Sequence, residues 1–287
     1  KCEICNSSKN TKIIDIISWN RKNYGYMPIV SCNFCGFVYQ WFRFSESFYE
    51  IFYSKYYREK IFISPTPSRN FIRDQKSRGK KLYDFLKKNN LLKKKGNMLD
   101  VGCSVGLFLK PFIEKGWNCF GNDPDRAYIE HGIKNYNLPI KYEQAEKMKL
   151  KKDSLDLIII MGSLEHCYDP NIVMKKCSDA AKEKSILVLE ARGNPQSESK
   201  NYFNHNHHRY FSENSLELMM IKHGFEPILT SSYPITGPTR KGGIYTIGIK
   251  KRTKINLKKL ISLGKRESTQ SVIFKYKHYN KVIKEYV

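Results

Sequence analysis

Residues 98–109 read MLDVGCSVGLFL, and this stretch decides the fold. An apolar strand runs into Asp100 and Val101, a glycine-containing turn follows from Gly102 to Gly106, and a helix pattern begins directly after it. Strand, tight glycine loop and helix N-terminus form the nucleotide-binding device of doubly wound α/β folds. Glycine lets the backbone approach a ligand closely. The segment therefore predicts a cofactor site at this turn.

An acidic residue stands where such a site needs one. Asp123 closes the next predicted strand, about 20 residues after the turn, where a carboxylate accepts hydrogen bonds from ribose hydroxyls. Between residues 69 and 250, patterns of strands and helices alternate, among them helices expected over 106–115 and 126–136 and a strand expected over 155–161. This alternation predicts an α/β fold with a Rossmann-like, doubly wound, mostly parallel sheet, for which we expect seven strands.

These segments resemble the class I S-adenosylmethionine-dependent methyltransferases. The D-x-G-C-G-x-G motif of that family corresponds to residues 100–106, with Ser104 in place of the central glycine, a departure also familiar among sugar-modifying members. Asp123 matches the ribose-binding acid, residues 144–146 match the segment beside adenine, and residues 161–166 match the loop after the fourth strand. The resemblance covers roughly residues 69–250. An NAD-binding Rossmann domain would require G-x-G-x-x-G, which is absent.

The resemblance implies S-adenosylmethionine as the cofactor and assigns its binding residues. These are Asp100, Gly102, Cys103, Ser104, Gly106, Asp123, Pro124, Ala145, Glu146, Met161, Gly162 and His166. In some small-molecule O-methyltransferases an acid three residues before Glu165 helps to bind a divalent cation. Because Gly162 occupies that position, a cation site there would be incomplete, and we expect His166 to line the methionine end of the pocket.

Two cysteine pairs precede this region. Cys2-x-x-Cys5 and Cys32-x-x-Cys35 suit a tetrahedral four-thiolate zinc site, and four cysteines close the coordination shell, so the metal would be structural. Four free thiols or a redox pair are the alternatives. A four-cysteine module ahead of this domain resembles the deoxysugar C-methyltransferases and their relatives in surface-polysaccharide gene clusters.

The pattern divides the chain into four regions. We expect a zinc-binding module over 1–40, an aromatic lid and linker over 41–68, a methyltransferase domain over 69–250 and a basic helical tail over 251–287. We also expect the module and the methyltransferase domain to have separate cores, so that one can unfold without the other.

A histidine-rich segment follows the fifth predicted strand, at the sheet edge where ligands bind in such folds. We expect His207 to act as general base, Arg209 to hold an anionic group of the acceptor, and Tyr56 to close over it. In the sugar C-methyltransferases an acid and a histidine precede a similar Tyr-Phe-Ser. His207 falls on that histidine, whereas Asn206 replaces the acid, which favours an oxygen acceptor. The alternative is that these histidines only orient the loop or bind phosphate together with Arg209.

The formal charge of +24 invites a nucleic-acid interpretation. The chain is rich in Lys, Asn, Ile and Tyr together, a mixture typical of AT-rich genomes, so a solvated basic surface explains the charge. We therefore expect a small phosphorylated or nucleotide-linked acceptor, methylated on oxygen in surface-glycan biosynthesis. A sugar C-methyltransferase, an RNA methyltransferase and a non-catalytic binding module are the alternatives.

The distribution of apolar residues bears on the cellular location of the protein. No apolar run reaches the length of a membrane span, and the first residues are polar, so we expect a cytoplasmic enzyme. The oligomeric state is left open.

The ribose-binding assignment is testable. Asp123→Ala removes a charged acceptor of hydrogen bonds, so S-adenosylmethionine should bind more weakly by roughly 1.5–3 kcal/mol. Titration calorimetry measures this affinity, and an unchanged value would refute the assignment.

Overall fold

The structure, a computed structural model, describes residues 1–18, 23–57, 66–93, 95–192, 203–232, 235, 237, 240, 242–251, 256–264 and 266–284. Its strands are β1 (Asn10–Ser18), β2 (Tyr24–Cys32), β3 (Val38–Gln40), β4 (Asn97–Val101), β5 (Asn118–Asp123), β6 (Ile140–Tyr142), β7 (Leu155–Met161), β8 (Ala181–Ala191), β9 (Arg209–Tyr210), β10 (Phe225–Ser231) and β11 (Ile244–Lys250). Its helices are α1 (Glu46–Ile51), α2 (Arg69–Lys88), α3 (Lys110–Ile113), α4 (Arg126–Tyr136), α5 (Pro170–Ala180), α6 (Glu213–Lys222), α7 (Leu257–Ser262) and α8 (Thr269–Lys284). A π-helical turn over Phe52–Tyr56 extends α1, and Ala145–Lys147 form a 3₁₀ turn. Residues 58–65 of the expected lid and linker lie outside the described residues.

Seven strands form the large sheet, in the order β10-β11-β8-β7-β4-β5-β6. β4 is parallel to β5 and β7, and β11 is antiparallel to both of its neighbours. Every residue of β7 is buried, as expected of a strand covered by helices on both faces. The predicted Rossmann-like, mostly parallel sheet is confirmed.

Helix ends follow the local chemistry of the chain. Asp125 caps α4 by accepting the backbone N–H of Tyr128, and Asn137 ends that helix in the left-handed conformation. The predicted helix over 106–115 is shorter than expected. The residues before α3 form tight turns instead, in which the N–H of Leu109 donates to Gly106 O and the N–H of Phe112 donates to Leu109 O. Pro111, at the start of α3, has no N–H to donate.

The N-terminal residues form a second sheet, in the order β1-β2-β3-β9. Its last strand, Arg209–Tyr210, comes from within the predicted methyltransferase region and pairs with Val38 and Tyr39. The rings of Phe37 and Phe211 lie 5.2 Å apart, inside a buried cluster that continues to strands β4, β7 and β8 of the large sheet. The expectation of separate cores is therefore wrong, because a strand and a hydrophobic cluster are shared.

The tail folds back onto the N-terminal sheet. Helix α8 packs on β1 and β2, with Val272 and Tyr276 buried and the Tyr276 ring 5.0 Å from that of Phe203. Helix α7 lies against α6 and buries Ile261. Within the described parts of the chain, no helix combines the length and apolar character needed to cross a bilayer.

The shared core changes the expected effect of losing a cysteine. Cys32→Ser should lower the melting temperature of the whole chain in one cooperative transition, because a disturbed module also loosens β9 and the cluster around Phe211. Calorimetry together with elemental analysis for zinc provides the measurement. A second transition at low temperature, with the main transition unmoved, would show that the module unfolds independently.

Candidate active site

A cavity of about 430 Å³ opens at the carboxyl ends of β4, β5 and β7. This volume is in the range of small-molecule and cofactor sites. Of the residues assigned to cofactor binding from the sequence, those lining the cavity are Asp100, Gly102, Cys103, Ser104, Asp123, Pro124, Ala145, Glu146, Met161, Gly162 and His166. Gly106 is not among the lining residues. It packs against the core instead, where an added Cβ would lie too close to Ile140 and Leu138.

The turn after β4 is tight because its backbone is left-handed at three positions. Gly102 and Gly106 have φ of +71° and +74°, and Ser104 takes φ of 55° where the family motif has glycine. The N–H groups of Gly102 and Cys103 both donate to Asn122 O at 2.9 Å, which ties the turn to β5. A side chain at Gly102 would clash with Ser163, so only glycine fits.

Asp123 connects the turn to the end of β5. Its carboxylate accepts the N–H of Ser104 at 2.8 Å and the N–H of Asp125 at 2.9 Å. Both bonds hold the side chain at the cavity wall, so its orientation is fixed before any ligand arrives.

Asp100 is the most unusual group in the cavity. It is 1% exposed, and neither of its carboxylate oxygens has a hydrogen-bond donor among the residues that the structure describes. Burial raises the pKa of this carboxyl well above its usual range, and the nearby Asp123 adds to the effect. A cationic ligand beside this carboxyl would favour its charged form and lower its pKa again.

Arg78 was not identified from the sequence. It lies on α2, a helix rich in exposed lysines, and the sequence gives no signal that this basic residue points inward. Its guanidinium lines the cavity, donates to Glu190 at 2.5 Å and lies 5.1 Å from the centre of the Phe108 ring. The cavity therefore carries a buried cation close to the Asp100 carboxyl.

His166 faces the cavity from the loop after β7. Its Nδ1 lies 2.8 Å from Asn206 O and 3.1 Å from the hydroxyl of Tyr53, which also donates to Asn206 O at 2.8 Å. Because a carbonyl oxygen only accepts, Nδ1 of the neutral ring carries the proton and Nε2 carries the lone pair. Burial raises the pKa of Tyr53 well above 10, so its hydroxyl stays protonated.

His207 lies behind His166, with ring centres 4.6 Å apart, and is 4% exposed. Asn204 Oδ1 accepts the backbone N–H of His207, so the group 3.1 Å from His207 Nδ1 is the amide nitrogen Nδ2, which must donate. The Nδ1 lone pair is thus occupied. Burial lowers the pKa of His207 well below its usual value, and the charge of Arg192 lowers it further.

The other two catalytic candidates also lie away from the cavity wall. Arg209 is 0% exposed in its side chain and pairs with Glu3 of the N-terminal module. Tyr56 is 44% exposed and points outward, whereas Tyr53 and Tyr57 line the cavity. The arginines that line it are instead Arg78, Arg192 and Arg240. Arg240 donates to Gly162 O at 3.0 Å and lies 3.7 Å from Glu165.

The four N-terminal cysteines are buried together. Their sulfur atoms all lie within 4.8 Å of one another, with 3.6 Å between Cys2 and Cys35 and 3.4 Å between Cys5 and Cys32. A tetrahedral zinc with Zn–S of about 2.3 Å requires sulfur separations of about 3.8 Å, so the four thiols fit that ion.

Each cysteine pair closes in the same way. The N–H of Asn6 donates to Cys2 O and that of Gly36 to Cys32 O, both at 2.9 Å. Both donors have positive φ, 63° for Asn6 and 78° for Gly36. The two turns are therefore matched, and they present all four sulfur atoms to one point.

The Methyltransferase domain family model matches residues 71–230, which is more than half of the chain. The chain belongs to this methyltransferase family. The matched range spans the turn after β4, Asp123 and the loop that carries His166.

Individual relatives of this methyltransferase cover less of it. A ubiquinone biosynthesis O-methyltransferase of Rhodopseudomonas palustris (strain HaA2) is 30% identical over 97 residues, which are 32% of this chain and 38% of that protein. The protein of the same name from Pelagibacter ubique is 33% identical over 97 residues, 32% and 40% of the two chains. The chain thus spans about two fifths of the length of these curated relatives.

Solved structures with a similar fold include a 1,6-didemethyltoxoflavin-N1-methyltransferase from Burkholderia thailandensis with bound S-adenosylhomocysteine. It is 14% identical, with a TM-score of 0.47 over 62% of this chain and 78% of that one. An S-adenosylmethionine-dependent methyltransferase from Aquifex aeolicus is also 14% identical, with a TM-score of 0.46 over 61% and 97% of the two chains.

The crowded turn leads to a prediction for Gly102→Ala. This change forces a left-handed alanine against Ser163, so it should both destabilise the fold and abolish measurable cofactor binding. Gly264→Ala is the matched control, since Gly264 has φ of +104° and a Cβ added there would meet nothing within 4 Å. Gly264→Ala should lower only the melting temperature. Tight S-adenosylhomocysteine binding by Gly102→Ala, measured by calorimetry, would contradict the assignment.

Proposed function

We propose that this protein is an S-adenosylmethionine-dependent O-methyltransferase of a small acceptor that carries an anionic group. The observation that carries the proposal is the cavity itself. Two buried acids, a histidine whose Nδ1 is fixed by a backbone carbonyl, and several arginines line this one space. The name of the relatives, ubiquinone biosynthesis O-methyltransferase, supports an oxygen acceptor.

The cavity fits the two charged ends of the cofactor. Asp123 is held at the end of β5, suited to ribose hydroxyls. The buried carboxyl of Asp100, which has no donor in the described part of the chain, complements an ammonium group. Arg78 lines the same cavity beside its contact with Glu190 and complements a carboxylate, so the two together suit the amino-acid part. When bound, S-adenosylmethionine supplies a methyl group on a positively charged sulfur.

His166 is the proposed general base. Asn206 O fixes its Nδ1–H, and Tyr53 packs its hydroxyl beside that contact, so Nε2 is presented in the basic form. From there His166 removes the proton of an acceptor hydroxyl as the oxygen is methylated. Tyr53 and Tyr57 cover the cavity and help to exclude water.

Arg192 and Arg240 are the proposed binding groups for the acceptor's anionic part. Both line the same cavity as His166, and guanidinium groups bind phosphate and carboxylate through paired hydrogen bonds. They replace Arg209 in that role, because Arg209 is not among the residues that line this cavity. As acceptors we propose nucleotide sugars, sugar phosphates or a phosphate-type capsule decoration in surface-glycan biosynthesis.

We further propose that Cys2, Cys5, Cys32 and Cys35 hold a structural zinc ion. The sulfur spacing and the matched turns support this assignment. Four thiolates close the shell and leave no position for a reacting group.

Substitution of two neighbouring histidines tests which of them is the general base. His166→Asn should lower turnover by roughly 10²–10⁴-fold, the usual range for losing a general base. The loss of cofactor affinity should be much smaller, although His166 is also expected to line the methionine end of the pocket. His207→Asn is the matched control and should lower turnover far less, because its Nδ1 already accepts from Asn204. Transfer of labelled methyl groups to sugar nucleotides and phosphosugars, with calorimetry of the cofactor, gives both quantities. The larger loss with His207→Asn would restore His207 as the base.

The same assay decides the acceptor class. Labelled methyl should appear on phosphosugars or nucleotide sugars, and Arg240→Gln should raise the KM for them more than it lowers kcat. Methylation of bulk tRNA or rRNA without methylation of these small acceptors would reverse the proposal, and methyl groups bonded to sugar carbon would identify a C-methyltransferase.

A further inference from the structure

Glu3 lies inside the first cysteine pair, and its carboxylate faces two arginines. Arg209 approaches with Nε at 2.5 Å from Oε2 and Nη2 at 2.6 Å from Oε1, and Arg43 places Nη2 at 2.8 Å from Oε1. The contact with Arg209 is a paired, two-bond interaction, the strongest form of side-chain ion pair.

The same two arginines hold the loop after β7. Arg209 donates to the carbonyl oxygens of Cys167 and Tyr168, the latter at 2.9 Å, and Arg43 Nη1 donates to Tyr168 O at 2.7 Å. His166, Cys167 and Tyr168 all line the cavity. One layer of guanidinium groups therefore separates the Glu3 carboxylate from the cavity wall.

The two arginines depend on Glu3 because its negative charge balances the buried positive charge of Arg209. The Arg209 side chain is 0% exposed, and Glu3 is the carboxylate that neutralises it. A buried guanidinium that loses its counter-charge moves toward water or another acceptor. The carbonyl groups of Cys167 and Tyr168 would then lose the hydrogen bonds from Arg209, and the loop carrying His166 would lose part of its support.

We propose that Glu3 is a positioning residue that couples the four-cysteine cluster to the cofactor cavity, through Arg209 and Arg43 and the loop 166–168. The coupling rests on the proposed function, because it assumes that the cofactor occupies this cavity. Because coupling between two sites is reciprocal, a ligand in the cavity also strengthens retention of the metal by the cysteines.

The first test compares Glu3→Gln with the wild type in the full, zinc-loaded chain. Glutamine keeps the shape of the side chain but not its charge, so affinity for S-adenosylhomocysteine, measured by calorimetry, should fall on the order of tenfold. Glu226→Gln is the matched control, since Glu226 pairs with Lys251 at 3.3 Å on the surface, and it should leave the affinity unchanged. Equal affinities for wild type and Glu3→Gln would overturn the coupling.

The second test follows release of zinc to a chelator. Saturating S-adenosylhomocysteine should slow release severalfold in the wild type, and this protection should be lost in Glu3→Gln. A purely structural role would speed release in the variant but leave the protection by ligand intact, and that result would overturn the coupling. Should Glu3→Gln fail to fold, Arg43→Gln, which removes one of the two donors to Tyr168, should show the same loss of protection in part.

The two proposals fail in different ways. A wild type that binds no S-adenosylhomocysteine overturns the proposed function and the coupling with it. A wild type that binds it, with no effect of ligand on zinc release, overturns the coupling alone.

Discussion

The buried charge of Arg209 is the constraint on which the arrangement of this molecule depends. A guanidinium group without access to water needs a counter-charge and a full set of acceptors. Glu3 supplies the charge, and the carbonyl groups of Cys167 and Tyr168 supply acceptors. Since these partners come from the N-terminal module and from the loop after β7, satisfying one side chain fixes the module against the methyltransferase fold.

The second organising feature is the edge where three parallel strands end. β4, β5 and β7 deliver Asp100, Asp123 and the loop of His166 to one cavity. Backbone bonds and turn glycines hold Asp123 in place before a ligand arrives. Asp100 is different, because its carboxyl is buried without a donor from the described part of the chain, and its pKa is raised accordingly. Uptake of a proton or binding of a cationic ligand relieves this energetic cost.

That the expected cofactor-binding residues meet at one cavity was predictable, because most of them lie in short contiguous segments. The turn after β4 is contiguous in sequence, and the glycines that take positive φ there are visible in the motif itself. The strand β7 and the helix α4 have the bounds that the sequence predicts, because a short run that is apolar except for Asp156 and a helical pattern are also local signals. The pairs of cysteines likewise predicted their cluster through spacing alone.

The acceptor side was not predictable, because there the partners are distant in sequence. His207 and Arg209 follow the fifth strand of the predicted sheet, which is why we expected them at the acceptor, yet one lies behind His166 and the other pairs with a residue 206 positions away. The sequence by itself determined the fold, the cofactor turn and the cysteine cluster, because each depends on residues that are close neighbours along the chain or repeat a fixed spacing. Only the tertiary structure decided which histidine and which arginines reach the cavity, because burial and long-range ion pairing, rather than residue type, determine whether a side chain faces a ligand or the core.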